Sequence, residues 1–384
     1  MSRVVLRFHG LLCDSVYARL RSVTERKTGG NNGQRPRRGQ KPVSLKELAE
    51  LLGLAPATVS LVINRSSVAD SIPQETKDRI FRAVRKYNYR PNFFARSLRA
   101  QRTFTIGVIV PEVSEGYSAH VMRGVEDHLL QEGYFYFVAS HRHRADLIDE
   151  YPRLFVERSV DGLIAVDTPW TLSLSVPVVT VSGHNRVKGV TNIVLDHARA
   201  AEVALQHLTR MGHRRIAFIK GQEFSSDTEV RWTNIQKVAS RLGLTILPSL
   251  VVQLQGDSPS PQIGFTATEK LLKSGRDFTA LFAFNDISAI GAIRALREAG
   301  LRVPEDVSVV GFDDIQSAAY QNPGLTTVRQ PLREMGRIAA ETLLRRIRQS
   351  GKEPHGGETM VEPELIVRES TCPVPAKSRI AGQG

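Results

Sequence analysis

Polar groups gather directly after a series of short apolar runs, and their types suit one kind of chemistry. Glu112, Ser114, Glu115 and Tyr117 follow residues 106–110, and Ser140, His141 and Arg142 follow 135–139. Asp167, Thr168 and Trp170 follow 162–166, and Ser182, His184 and Asn185 follow 176–181. Lys220 and the more distant Arg231 come after 215–219, Asn285 and Asp286 after 279–284, and Phe312, Asp313 and Asp314 after 307–311. Carboxylates, amides, hydroxyls and a guanidinium with a few aromatics suit a small polar ligand. A polyol offers donors and acceptors that Asp, Asn and Arg can satisfy in pairs. Nucleophile, phosphate-loop, dinucleotide and zinc-protease signatures are absent: no GxxxxGK[ST], GxSxG, HExxH, or GxGxxG after a strand. His141 and His143 form a lone HxH, read as solvated loop histidines. Asp286, Asp313 and Asp314 fall in separate loops without a metal-ligand spacing. No catalytic residue, cofactor or metal is expected.

These groups need a scaffold. From Ile106 onward, apolar runs alternate with amphipathic stretches such as 120–132, 197–211 and 289–299. Short β-rich runs joined by helical crossovers make parallel sheets covered on both faces. About 260 residues of this pattern is large for one sheet, so two doubly wound lobes with a cleft between them are expected. Ligands bind beyond the carboxyl ends of such strands, where the polar groups lie.

The front of the chain is different. Residues 1–103 carry 21 basic and 7 acidic side chains, a net +14, while residues 104–384 hold 31 and 32, a net −1. A basic front on a neutral body points to a polyanionic partner. Residues 1–41, rich in Arg, Gly, Asn and Gln, read as a flexible arm. Residues 42–90 read as a three-helix globule. Leu45, Leu48, Ala49 and Leu52 form one helical stripe. Ser44 and Glu47 supply a capping box, and Gly53 breaks the helix. Pro56 opens a second helix striped by Val59, Val62 and Ile63. A third runs over about residues 73–87, with Ile80, Val84 and Tyr87 inward and Arg79, Arg82, Arg85 and Lys86 mostly outward. Helix, tight turn and helix is the helix-turn-helix arrangement. A short segment, 91–103, joins head and body, and residues 372–384 form a tail. Cys13 and Cys372 are the sole cysteines among 384 residues. A disulfide framework or paired-cysteine zinc site is therefore not expected, which suits a reducing cytoplasm. No apolar run is long enough for a membrane span, and Arg7 and His9 interrupt the apolar start, against an export signal.

Long ordered motifs carry a resemblance. VSLKELAELLGLAPATVSLVIN (43–64) and IPQETKDRIFRAVRKYNYRPNFFARSL (72–98) resemble the head of the LacI/GalR family of bacterial transcription regulators. MGHRRIAFIKG (211–221), FNDISAIGAIRALREAGLRVPEDVSVVGFDDI (284–315), LTTVRQP (325–331) and ELIVRES (364–370) resemble its body, an effector-binding and dimerisation domain over 104–371. The likeness covers about residues 42–371. It implies a periplasmic-binding-protein-like two-lobed body and a homodimer on a near-palindromic double-stranded operator. The second helix would enter the major groove, with Thr58, Ser60 and Asn64 at family positions that touch DNA. Pro56 and Ala57 stand at the leading base-reading positions, and their apolar side chains favour thymine methyls or shape readout over bidentate hydrogen bonds. Leu61 stands where some members carry Arg. Ala95 and Leu98 match a hinge helix whose leucine wedges open a minor-groove step. NRSSVADSIPQET carries a three-residue excess before the third helix. The effector pocket maps onto Arg231, Asn285 and Asp313, with Tyr117, Ser182 and Asp167 as further candidates. The effectors implied are sugars, sugar phosphates or nucleobase compounds. The expected function is a repressor controlled by a small polar effector such as a sugar. The alternatives are a carbohydrate solute-binding protein, which needs an export signal and no helix-turn-helix, and a sugar-processing enzyme with a borrowed head.

Overall fold

The computed structural model describes residues 43–64, 66–89, 97, 101–113, 116–275, 277–349 and 356–374. The chain divides into two compact units, Met1–Asn92 and Phe93–Gly384. The hinge candidates Ala95 and Leu98 and the arm over 1–41 lie outside the described residues.

The first unit contains helices α1 (Leu45–Leu52), α2 (Pro56–Ile63) and α3 (Gln74–Lys86). Ser44 Oγ accepts the Glu47 N–H at 3.2 Å and Glu47 Oε2 accepts the Ser44 N–H at 2.6 Å, so two donors at the start of α1 are satisfied reciprocally. Gly53 ends α1 at φ 63°, the left-handed conformation that a Cβ disfavours. Its N–H bonds back to the carbonyls of Ala49 and Glu50. Pro56 occupies the first turn of α2, where a missing N–H costs nothing. Leu48, Ala49, Val59 and Ile80 are fully buried at the meeting point of the three helices. The Arg79 guanidinium donates to the Leu52 carbonyl at the end of α1. The segment before α3 folds as a 3-10 turn, Ser67–Ser71, and places Ala69 in this core.

Among the described residues, the second unit holds two six-stranded sheets. The first is ordered β11-β5-β4-β3-β1-β2, with β1 Thr105–Val110, β2 Phe135–Ser140, β3 Gly162–Val166, β4 Val178–Val181, β5 Val190–Leu195 and β11 Gly357–Val361. The second is ordered β12-β10-β9-β8-β6-β7, with β6 Ile216–Lys220, β7 Val251–Gln253, β8 Ala280–Phe282, β9 Ser308–Asp313, β10 Thr326–Arg329 and β12 Glu364–Ile366. All pairings are parallel except β10 with β12. Helices α4 (Tyr117–Gln131), α5 (Ala145–Glu157), α6 (His197–Arg210), α7 (Asp227–Arg241), α8 (Gln262–Ser274), α9 (Asp286–Glu298) and α10 (Leu332–Gln349) complete the two lobes. β1, β3 and β4 are buried throughout, as strands covered on both faces must be.

The chain passes between lobes after β5, after β10, and between β11 and β12. Asp196 marks the first passage and caps α6, its Oδ1 accepting the Arg199 N–H at 2.9 Å. α10 follows β10 of the second sheet yet packs on α4 of the first lobe. That contact depends on two glycines. A Cβ at Gly124 would lie 1.8 Å from the Arg333 carbonyl oxygen, and one at Gly336 2.0 Å from that of Val121. Backbone meets backbone there, and no side chain fits.

One expectation needs correction. His141 is not a solvated loop residue: it is fully buried, with Nε2 3.1 Å from Thr168 Oγ1 and Nδ1 accepting the His143 N–H at 3.0 Å. Burial lowers its pKa to about 4. Asp286, adjacent to Asn285, has a structural role: it accepts from Thr327 Oγ1 at 2.6 Å and from the Ile315 N–H at 2.9 Å, tying α9 to the ends of β9 and β10.

Candidate functional site

Tyr117, Asp167, Arg231, Asn285 and Asp313 line one cavity of about 120 Å³ in the second unit. Ser182 stands just behind it, fully buried, with its Oγ 2.6 Å from Tyr117 Oη. The structure thus brings all six effector candidates together, at the carboxyl ends of β1, β3, β4, β8 and β9 and on the second turn of α7. Three of them sit in the left-handed backbone region: Asp167 at φ 40°, Ser182 at φ 56° and Asp313 at φ 107°. Such strain is costly in an ordinary loop and is concentrated at ligand sites.

Arg231 is the most constrained group. Its guanidinium carbon lies 3.7 Å from the Phe312 ring centroid and 4.4 Å from that of Phe284. Nη1 donates to the Phe284 carbonyl, and Nη2 donates to Asp227 Oδ2 at 3.0 Å. Nε is buried without a hydrogen-bond partner. Asp227, one helical turn before Arg231, was not among the sequence candidates, although an acid four residues before an arginine on a helix is a readable pair. Burial opposes its ionisation, but His197, His184 and Arg231 outweigh this and hold its carboxyl well below the usual range.

The remaining acids behave differently. Burial pushes Asp313 up to about 7, against the pull of Arg231 and of Gln330, whose Nε2 donates to Oδ1 at 2.6 Å. Burial, and then the charge of Asp227, raise Asp167 to about 6, although Ser226 donates to it through Oγ at 2.6 Å and N–H at 3.2 Å. Burial, then Asp227 and Asp167, raise the Tyr117 phenol well above its ordinary value. Asn285 caps α9, its Oδ1 accepting the Ser288 N–H at 2.9 Å, so its Nδ2 is the group it can offer a ligand. His143 and Phe224, which also line the cavity, stack with ring centroids 3.8 Å apart. Ser226, Gln330 and Phe224 also escaped the sequence reading, because each becomes relevant only through a partner distant in the chain.

Asp313 and Asp167 retain their protons in the folded protein at a pH where the unfolded chain, at an ordinary 3.8, has released them. Their contribution to stability is complete below 3.8 and is lost as pH rises through about 6 and about 7. The melting temperature should therefore fall between about pH 4 and about pH 7, with about 1.4 kcal/mol lost for each tenfold difference in proton affinity between the folded and unfolded chain. Asp313→Asn, neutral throughout, should flatten that fall. Equal slopes in the two proteins would contradict the assignment.

In the first unit, Pro56, Ala57 and Asn64 are exposed and Thr58 and Ser60 half-buried. Ala57, Ser60 and Asn64 share the side of α2 opposite the buried Val59 and Val62. Asn64 Nδ2 donates to the Ser60 carbonyl at 2.9 Å and to Ser60 Oγ at 3.2 Å, which holds both polar tips on that side.

With these sites in place, comparison with known proteins is direct. Residues 44–92 match the profile of "Bacterial regulatory proteins, lacI family", and residues 205–371 that of a periplasmic binding protein-like domain. The HTH-type transcriptional repressor PurR of Haemophilus influenzae is 32% identical over 338 residues, covering 85% of this chain and 98% of that protein. Among solved structures, the lac repressor dimer bound to operator and the anti-inducer ONPF matches with a TM-score of 0.73 at 26% identity, over 86% of this chain and 100% of that one. A complex of the transcriptional regulator CelR with cellobiose matches with a TM-score of 0.64 at 29% identity, over 85% and 99%. The chain belongs to the LacI family of bacterial regulatory proteins, with a helix-turn-helix head and a periplasmic-binding-protein-like body.

Proposed function

We propose that this protein is a cytoplasmic, non-catalytic repressor of transcription that binds a near-palindromic operator as a homodimer and answers to a neutral sugar. The observation that carries the ligand class is the charge balance of the cavity. Asp167, Asp227 and Asp313 face one guanidinium, and Asp227 already engages that guanidinium. Among the described lining residues, an added phosphate or carboxylate would meet these acids and a guanidinium that Asp227 already engages, whereas hydroxyls find acceptors in Asp167 and Asp313 and a donor in Asn285. The CelR relative holds a disaccharide, which fits this reading. A cavity of about 120 Å³ is below the roughly 300–1,000 Å³ usual for drug-sized ligands. Sugar entry and departure therefore alter how the two lobes close.

On the DNA side, Pro56, Ala57, Thr58, Ser60 and Asn64 meet the major groove, and Ala95 and Leu98 the minor groove between the heads. The domain limits 42–90, 91–103 and 104–371 follow the same reading. The dimer contact is the edge of β2. Phe135 is 61% and Phe137 43% exposed on a strand with an open edge, an aggregation hazard unless a second chain covers it. Among the described residues, no helix is long and apolar enough to cross a membrane.

Selection of bound fragments from genomic DNA tests the proposal. The full chain should enrich near-palindromic sites. Phe137→Asp should leave a folded monomer that enriches none of them. Unselective capture by the full chain, or a variant that still dimerises and selects the same sites, would contradict it.

A further inference from the structure

Beside the cavity lies a cluster that the regulatory reading does not use. His184 belongs to the connection between β4 and β5 in the first lobe, His197 opens α6 after the first passage between lobes, and Asp227 opens α7 in the second. Both imidazoles turn Nε2 toward the same carboxylate oxygen, Asp227 Oδ1, at 2.6 Å from His184 and 3.4 Å from His197. The ligating atoms of all three residues lie within 4.8 Å of one another. The rings are 5.5 Å apart and inclined at 56°. His197 and Asp227 are each 4% exposed. Neither Nδ1 nor Nε2 of His197 completes a full hydrogen bond, although Nε2 lies 3.4 Å from Asp227 Oδ1. A buried imidazole with neither nitrogen fully engaged is expensive to keep. In an ordinary core, an apolar residue would serve better.

We propose that His184, His197 and Asp227 bind a divalent transition-metal ion at the junction of the lobes. Nitrogen and oxygen ligands at about 2.0–2.2 Å from one tetrahedral ion lie roughly 3.3 Å apart. The His197–Asp227 pair already has that separation, and the His184 pair must widen by less than about 1 Å to reach it. The second carboxylate oxygen remains with Arg231 at 3.0 Å, an outer partner that fixes the plane of the ligand. Two imidazoles and one carboxylate favour Zn²⁺, Co²⁺ or Ni²⁺ over Mg²⁺ or Ca²⁺. Three protein ligands leave a coordination position for water or a ligand hydroxyl, next to the cavity that Asp227 lines.

Titration of the full, tag-free protein with Co²⁺ provides the test, since cobalt in a site of low coordination number absorbs strongly in the visible. One ion per chain is expected to produce that absorption. His197→Asn and His184→Gln should each weaken binding by more than about a hundredfold, beyond the 10–100-fold that losing an outer-shell partner costs. His128→Asn on α4 should change nothing. His184→Cys provides a positive readout: Co²⁺ should acquire a thiolate charge-transfer band in the near ultraviolet. Absence of visible absorption in the parent protein would overturn the proposal. So would unchanged affinity in the two histidine variants, or cobalt binding to the cysteine variant without the thiolate band.

Discussion

Raising salt from 50 to 200 mM is expected to weaken binding to duplex DNA by about 10³–10⁵, if a dimer contacts roughly 6–10 phosphates. The charge distribution sets this expectation. Residues 41–103 carry 12 basic and 5 acidic side chains, whereas residues 104–384 are almost balanced. Within the head, Lys46, Arg79, Arg82, Arg85 and Lys86 are exposed, while the apolar faces of α1, α2 and α3 meet in the core. Each exposed cation that reaches a phosphate releases a counterion, and the logarithm of affinity then falls linearly with that of salt. The body should contribute little, so residues 93–384 alone should bind DNA weakly at every salt concentration. Fluorescence anisotropy with a labelled duplex measures the slope. A flat response would contradict electrostatic docking by the head.

Arg231→Ala is expected to abolish the response to sugar, weakening sugar binding by about a hundredfold or more while leaving operator affinity in place. Arg231 is held between Phe284 and Phe312 and bonded to Asp227, so it sets both the floor of the cavity and the charge of its neighbour. Its loss leaves Asp227 buried without its guanidinium, and breaking a buried pair costs on the order of 3–5 kcal/mol. The variant must therefore be shown to melt cooperatively before its binding is judged. Arg231→Lys should not rescue the response, because an ammonium cannot stack between two rings and donate in two directions. Isothermal titration with candidate sugars gives the affinities. A parent-like dose response in Arg231→Ala would remove this residue from the site.

Much of the architecture was legible because its causes are local. Ser44, Glu47, Gly53 and Pro56 each act within one turn of chain, so the helix-turn-helix could be read directly. Runs such as 106–110 and 162–166 are continuously apolar because parallel strands are covered on both faces, and they appear as β1 and β3. β5, β7, β10, β11 and β12 were not anticipated. Thr191 and Asn192 interrupt the apolar run of β5, β7 and β12 have three residues each, and β11 is an exposed edge. Thr326 and Thr327 of β10 are polar yet fully buried, hydrogen-bonded to Arg368, Ser370, Thr371 and Asp286. The candidate site was legible to the extent that a polar residue after a strand marks a ligand edge. What stayed hidden depends on the third dimension. His141 looks like a loop residue but is enclosed, and His184, His197 and Asp227, spread over more than 40 residues of sequence, converge only when the lobes assemble.

The central claim is that the cleft governs the grip of the heads on DNA. Its most direct test is the affinity of the dimer for one selected operator, measured at fixed salt with and without a saturating neutral sugar that binds the body. The account predicts at least about a tenfold change, equivalent to a coupling free energy of about 1.4 kcal/mol, and predicts that the change disappears in Arg231→Ala. An operator affinity indifferent to a sugar demonstrably bound in the cleft would contradict it.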